Sequence, residues 1–223
     1  MNKNLLGILA LAFAVLGMGS PLRATTFLFN SPTGQLGTSQ AYTSGQTITA
    51  YGWGCFNTTD SGLSATSTPD HSCLSGSFQT HAVDLYGKQS GDPTENGLGI
   101  WKDPQNDHEI SNDDFIDFDL SGVTATTGNW SFGSVQVGEQ VEYCFGNSNT
   151  ALNTSNCSTY TGSGTDPVTL SLNWTGFKDI SVIAPTNDIL VGSVTTTPEP
   201  GTLVLCGTGL LSMAGFLRRK LSA

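Results

Sequence analysis

Asp114-Phe115-Ile116-Asp117-Phe118-Asp119-Leu120 alternates apolar and acidic residues over seven positions. Successive side chains of a strand point to opposite faces, so Ile116, Phe118 and Leu120 share one face and Phe115, Asp117 and Asp119 the other. The spacing predicts a β-strand with one face in a core and the other wet and acidic. Val168, Leu170 and Leu172 repeat the period, with Thr169 and Ser171 opposite. Working outward, short runs rich in β-branched and aromatic residues occur at Thr26–Phe29, Thr47–Tyr51, His81–Tyr86, Trp130–Val137, Gln140–Phe145, Asp179–Ile183 and Ile189–Val194. Turn residues fill the intervals, as in Ser90-Gly91-Asp92-Pro93 and Thr161-Gly162-Ser163-Gly164. Eight or nine strands with no amphipathic helix between them predict an all-β fold, an antiparallel β-sandwich of jelly-roll-like or immunoglobulin-like type.

Composition agrees. The 223 residues include 29 Thr, 27 Gly, 24 Ser and 14 Asn, types that favour strands, caps and turns over helix interiors, which excludes a long helical or coiled-coil protein. Charge is sparse and uneven. Residues 1–24 carry only Lys3 and Arg23; residues 25–200 carry all 18 acids and three lysines, Lys88, Lys102 and Lys178; residues 201–223 carry Arg218, Arg219 and Lys220. No basic stripe exists to neutralise phosphates, so nucleic acid is excluded as a partner.

Both ends read as addresses. Leu5 to Met18 is an unbroken run of apolar residues and Gly, after Lys3 and before Gly19, Ser20 and Pro21. That length suits the core of a secretory signal helix, with cleavage after Ala24. At the other end, Pro198-Glu199-Pro200 breaks the chain, Gly201 to Leu217 is uncharged, and Arg218-Arg219-Lys220 follows. The uncharged segment spans about 25 Å as a helix, near the thickness of a hydrocarbon core, and the basic end predicts a cytoplasmic terminus with the preceding body outside. The expected organisation is a signal peptide over 1–24, an exported β-sandwich domain over 25–194, and a linker plus transmembrane tail over 195–223.

Pro-Glu-Pro, a short Gly-containing hydrophobic helix and a terminal basic cluster, in that order over residues 197–223, resemble the PEP-CTERM sorting tail. The resemblance implies recognition and cleavage by an exosortase in a Gram-negative bacterium, with Pro198, Glu199, Pro200, Arg218, Arg219 and Lys220 as the sorting residues. It covers the tail and names no ligand. Tyr86-Gly87-Lys88, then Glu95-Asn96-Gly97-Leu98-Gly99-Ile100, then Glu109-Ile110, also resembles a pattern recurring in other PEP-CTERM proteins of unassigned activity.

Cys206 lies in the apolar tail, leaving Cys55, Cys73, Cys144 and Cys157 in the body. Four cysteines in an exported domain predict two disulfides. Of three pairings, Cys55 with Cys73 and Cys144 with Cys157 is preferred, because each pair brackets a turn-rich segment that a local bridge would staple. Zinc is disfavoured, since no Cys-x-x-Cys pair occurs.

Nine of the 18 acids fall between Asp92 and Asp119, with Lys102 the one base among them. Clustered carboxylates repel unless a cation neutralises them, and calcium takes six to eight such oxygens. Asp103, Asp107, Glu109 and Asp113 are the candidate calcium ligands, set against a plain reading of this stretch as a solvated acidic loop that keeps an exported protein soluble. His108 stands where an EF-hand loop requires glycine, so that motif is excluded. Catalytic signatures are missing: there is no Gly-x-Ser-x-Gly elbow, no His-Glu-x-x-His and no P-loop, and His71, His81 and His108 read as surface residues. Among Trp53, Trp101, Trp130 and Trp174, the two at strand edges, Trp130 and Trp174, suit the core, and Trp101 is the best sugar-stacking candidate. The expected function is a non-catalytic, exosortase-sorted protein of the cell surface or extracellular matrix, transiently anchored in the inner membrane and associated with exopolysaccharide or biofilm. The alternatives are a carbohydrate- or calcium-binding adhesin module and, third, a secreted hydrolase.

Overall fold

The computed structural model describes residues 24–74, 77–149, 152, 154–197 and 209. The expected signal helix, the Pro-Glu-Pro motif, Arg218, Arg219 and Lys220 lie outside the described residues, among which no helix is long and apolar enough to cross a membrane.

Among the described residues there are fourteen strands: β1 Thr25–Leu28, β2 Gly34–Gly37, β3 Ser39–Thr43, β4 Thr47–Asn57, β5 Phe78–Ala82, β6 Leu85–Lys88, β7 Gly97–Ile100, β8 Asp114–Asp119, β9 Thr127–Gly133, β10 Gln140–Gly146, β11 Cys157–Thr161, β12 Val168–Asn173, β13 Asp179–Thr186 and β14 Leu190–Thr196. They make two seven-stranded antiparallel sheets. One runs β12-β9-β14-β7-β6-β2, with β1 also on β14; the other runs β11-β10-β13-β8-β4-β3, with β5 also on β4. The all-β, two-sheet expectation is met, and strand β1 begins at Thr25, the residue after the expected cleavage point. At the other end β14 runs to Thr196, so Thr195 and Thr196, expected as linker, are strand paired with Thr26 and Thr25.

Between the sheets lies a core centred on Trp130, which is fully buried with Phe29, Phe118 and Trp174 around it at ring separations of 6.0, 5.1 and 6.4 Å. Ile116, Phe118 and Leu120 belong to this core, as their alternation predicts. The other face of β8 departs from expectation. Phe115 and Asp117 are both fully buried, so this face is not wet. A second apolar cluster of Cys55, Cys73, Phe115 and Ile183 sits there, with Trp53, Phe78 and Leu152 packed against it. Its cover comes from loops remote in sequence: the Cys55–Cys73 bridge closes one, and the Trp53 Nε1–H donates to Asn149 O of the other at 3.1 Å. Cys144 and Cys157, which face each other across β10 and β11, are likewise bonded. Both preferred pairings are therefore present.

Two further departures bear on function. The expected single strand His81–Tyr86 is two strands in different sheets: the chain crosses at Val83 and Asp84, whose amides donate to Gly52 O and Ala65 O at 3.0 and 2.8 Å. Strand β7, Gly-Leu-Gly-Ile, carries no strand signal in sequence because glycine disfavours strands. It pairs with β6 along its whole length, Leu85 opposite Ile100 and Lys88 opposite Gly97.

Candidate functional site

Alternation along β6 sends Leu85 and Gly87 inward and leaves Tyr86 and Lys88 half-buried on the outer face. Asp84 precedes them with the same parity, and its carboxylate accepts from Gln35 Nε2. On the neighbouring strand the outward positions are Gly97 and Gly99, and here the absent side chains matter. A Cβ on Gly99 would lie 2.8 Å from Glu109 Cα, because the loop following β7 doubles back and rests directly on this glycine.

That loop, residues 101–110, is built by its own acids. The Asp103 carboxylate, 1% exposed, accepts three backbone amides, from Gln105 at 3.1 Å, Asp107 at 3.3 Å and His108 at 2.7 Å. Asp107 Oδ1 accepts from the Glu109 amide at 3.2 Å. Asn106 and His108 adopt left-handed φ of 60° and 69°, which turns the loop back on itself. Reciprocal backbone hydrogen bonds between Ile110 and Ile189, 2.8 and 3.0 Å, tie its end to the turn before β14.

Two features result. The first is an aromatic stack: His108 lies parallel to Trp101 at 4.8 Å and 9°, and Tyr86 packs on both, 4.1 Å from His108 and 5.2 Å from Trp101. His108 Nδ1 also lies 2.8 Å from Trp101 O, fixing the ring. All three residues are half-buried, so the stack is supported from beneath and open to solvent. The second is an ion-pair network. Lys88 Nζ binds Glu109 Oε1 and, at 2.9 Å, Glu95 Oε2. Burial opposes the Lys88 charge, but its hydrogen bonds to Glu109 and Glu95 prevail and raise its pKa. The Lys88 hydrogen bond holds Glu95 below the ordinary carboxylate range, whereas burial pushes Glu109, whose side chain is 4% exposed, up to about 7 despite the same lysine.

The motif Tyr86-Gly87-Lys88, Glu95 to Ile100, Glu109-Ile110 is thus one structural unit: a lysine joining two glutamates, and a glycine floor under the loop that carries one of them.

Of the four candidate calcium ligands, Asp103, Asp107 and Glu109 share one loop, with Asp107 adding repulsion to both others, but their oxygens do not all converge within ligand distance of one another. Asp113 goes elsewhere. Its amide donates to Ser111 Oγ, and its carboxyl lies in the field of His71 and Asp70, because the Ser111–Asp114 turn redirects the chain. Asp188, from the turn before β14, instead lies in the field of Asp107 and Asp103. Burial is the main cause raising Asp188 to about 7, with Asp107 and Asp103 adding repulsion, and its Oδ1 is buried without a hydrogen-bond partner. Burial likewise raises Asp103 to about 6. Asp188 had no signal in sequence, being distant along the chain. Glu142 clusters with Cys144 and Cys157, but both sulfurs are bonded to each other, so no thiolate is offered to a metal there. The tryptophans sort as expected: Trp130 and Trp174 are core, and Trp101 is half-buried at the surface.

Because the loop sits on Gly99, Gly99→Ala should lift it from β7. The expected result is a loss of about 2 kcal/mol in stability, together with a changed Trp101 fluorescence environment in the folded protein. An alanine variant with native stability and an unaltered spectrum would contradict this packing.

Comparisons of the chain with protein-family models, with curated proteins and with solved structures return no match.

Proposed function

We propose that this chain is an exported, non-catalytic protein of the bacterial surface or extracellular matrix that associates with polysaccharide, and that the Tyr86–Trp101–His108 stack is its sugar-contacting surface. The stack carries the reading. Rings fixed by neighbours lose little freedom on binding, and the apolar face of a pyranose packs well on such a surface. What supports a non-catalytic role is the disposition of the two acids of the 101–110 loop whose pKa is raised. Asp103 is occupied by three backbone amides, and Glu109 is enclosed and paired with Lys88, so neither is presented to a substrate as a general acid. Export is supported by the signal-like start, by the Pro-Glu-Pro tail and by the two disulfides, which persist outside the cytoplasm. Secretion machinery and an exosortase are the partners this implies, with a transient inner-membrane stage.

A glycan array probed with the full chain and with Trp101→Ala tests the sugar surface. Wild-type retention on one or more glycans, lost in the variant, is expected; a wild type that retains none refutes it. Mass spectrometry of the cell-surface and secreted pools tests the sorting, with termini expected near Thr25 and near Pro198–Pro200. An intact Arg218-Arg219-Lys220 end in the secreted pool would refute processing.

A further inference from the structure

We propose that the sugar taken by the Tyr86–Trp101–His108 stack is a cationic amino sugar, a hexosamine unit whose amine is free and protonated. This rests on the glycan reading above and narrows it to a substrate class. Three observations lead there.

The ring faces come first. The electron-rich face of an indole or phenol attracts an ammonium group as well as the C–H face of a sugar, so one hexosamine satisfies both modes at once. Charge around the rings comes second. Asp84 lies two residues before Tyr86 and its carbonyl accepts the Trp101 amide at 2.8 Å; Asp107 precedes His108 and is exposed; Asp103 and Glu109 are buried in the same loop, Glu95 is paired with Lys88, and Asp188 lies in the field of Asp103 and Asp107. Against these six acids the surrounding bases are Lys88, whose charge is engaged by Glu95 and Glu109, and Lys102. An acidic sugar would be repelled here, and a neutral one would gain nothing from the field.

Asp107 supplies the third. It is exposed, directly precedes His108, and its Oδ1 accepts the Glu109 amide at 3.2 Å, which fixes the carboxylate beside the residue that carries the outer ring of the loop. An ammonium on a sugar held by the rings therefore has an exposed carboxylate one residue from His108 to pair with. A bare divalent cation could meet the same carboxylate but brings no C–H face to pack on the rings, and the amino sugar is favoured on that ground.

The test is calorimetric titration of the full chain with three probes: a β-1,4-linked glucosamine tetramer, its fully N-acetylated counterpart and a β-1,4-linked glucose tetramer. Glucosamine is expected to bind at least about tenfold more tightly than either of the others, and the preference should shrink at high ionic strength. Asp107→Asn keeps the Oδ1 acceptor for the Glu109 amide while removing charge, and should reduce the preference. Trp101→Ala should abolish binding, and Trp101→Phe, which preserves a ring, should retain it. If all three probes bind equally and depend on Trp101, the amine is overturned while the glycan reading stands. Binding indifferent to both Trp101 and Asp107 overturns the site itself. If no oligomer binds, the glycan reading falls too; and if calcium raises the melting temperature while glucosamine is not bound, the acidic group holds a metal and the amine proposal is overturned.

Discussion

Raising the pH from about 5 to about 8 is expected to destabilise the folded domain by on the order of 3 kcal/mol or more, since one unit of pKa difference is worth about 1.4 kcal/mol per group. Most acidic proteins gain stability as their paired carboxylates ionise. Here the buried carboxyls run the other way. Burial is the leading cause in each case: it raises Asp103 and Asp179 to about 6, Glu109 to about 7 and Asp117 to about 8, and Asp114 well above its usual value. A group whose folded pKa exceeds its unfolded value binds more protons when folded, so its contribution is fully present below the unfolded pKa and is lost as pH climbs through the folded one. The window therefore opens near pH 4 and closes near pH 8. Asp92 and Glu95, held low by Thr94 and by Lys88, titrate below this range and do not offset it. Urea midpoints across the series should fall steadily, and a midpoint that holds level or rises from pH 5 to pH 8 would contradict the assignment. Asp117→Asn isolates the top of the window. It keeps the Ser181 hydroxyl bond to Oδ1 and removes the ionisable group whose other oxygen has no partner, so the fall above pH 7 should flatten.

The same residue shows how far sequence reaches. Alternation along Asp114–Leu120 identifies a strand and its inner face, because period two is a local property of the backbone. Whether Phe115 and Asp117 face water depends on chain that returns from elsewhere, one segment pinned by Cys55–Cys73 and another reaching Trp53 through Asn149. No local pattern encodes that cover. The disulfides were legible for the opposite reason: each closes a short loop, with separations of 18 and 13 residues, so nearness in sequence gave nearness in space. Strands β2, β3, β7 and β11 are absent from the sequence reading; at β2 and β7 glycine weakens the strand signal, and at Gly99 the glycine admits the loop above it. Trp101 was recognisable from its place between glycine-rich and acidic segments. His108, in a polar loop, carries no local signal that its ring packs against both Trp101 and Tyr86. Proximity along the chain groups Asp113 with Asp103, and one turn at Ser111 separates them; Asp188 comes into the field of Asp103 and Asp107 from a remote turn that the Ile110–Ile189 pairing helps bring near.

Removing the Lys88 ammonium with Lys88→Met should cost about 3 kcal/mol at pH 8 and far less at pH 5, because breaking a buried ion pair leaves an uncompensated charge. The pair is asymmetric. Glu109 is enclosed, with 4% of its side chain exposed, whereas Glu95 keeps 33% exposed and can be solvated where it stands. The cost therefore falls on Glu109. At pH 5 that carboxyl is already protonated in the folded state, its pKa standing near 7, so loss of the lysine strands no charge. At pH 8 it must either ionise without a partner or hold its proton against solvent, and both penalise the fold. Adding Glu109→Gln removes the buried charge, so the Lys88→Met/Glu109→Gln double variant should recover most of the stability that the single variant loses at pH 8. The double-mutant cycle, read from urea midpoints at both pH values, distinguishes this from a loss of packing by the lysine stem, which the second substitution would not repair. Glu109 follows His108 directly, and its pairing with Lys88 fastens the loop to β6. The single variant should therefore also loosen the aromatic stack at pH 8, and the double variant should restore it, so stability and ligand affinity are expected to move together across the cycle.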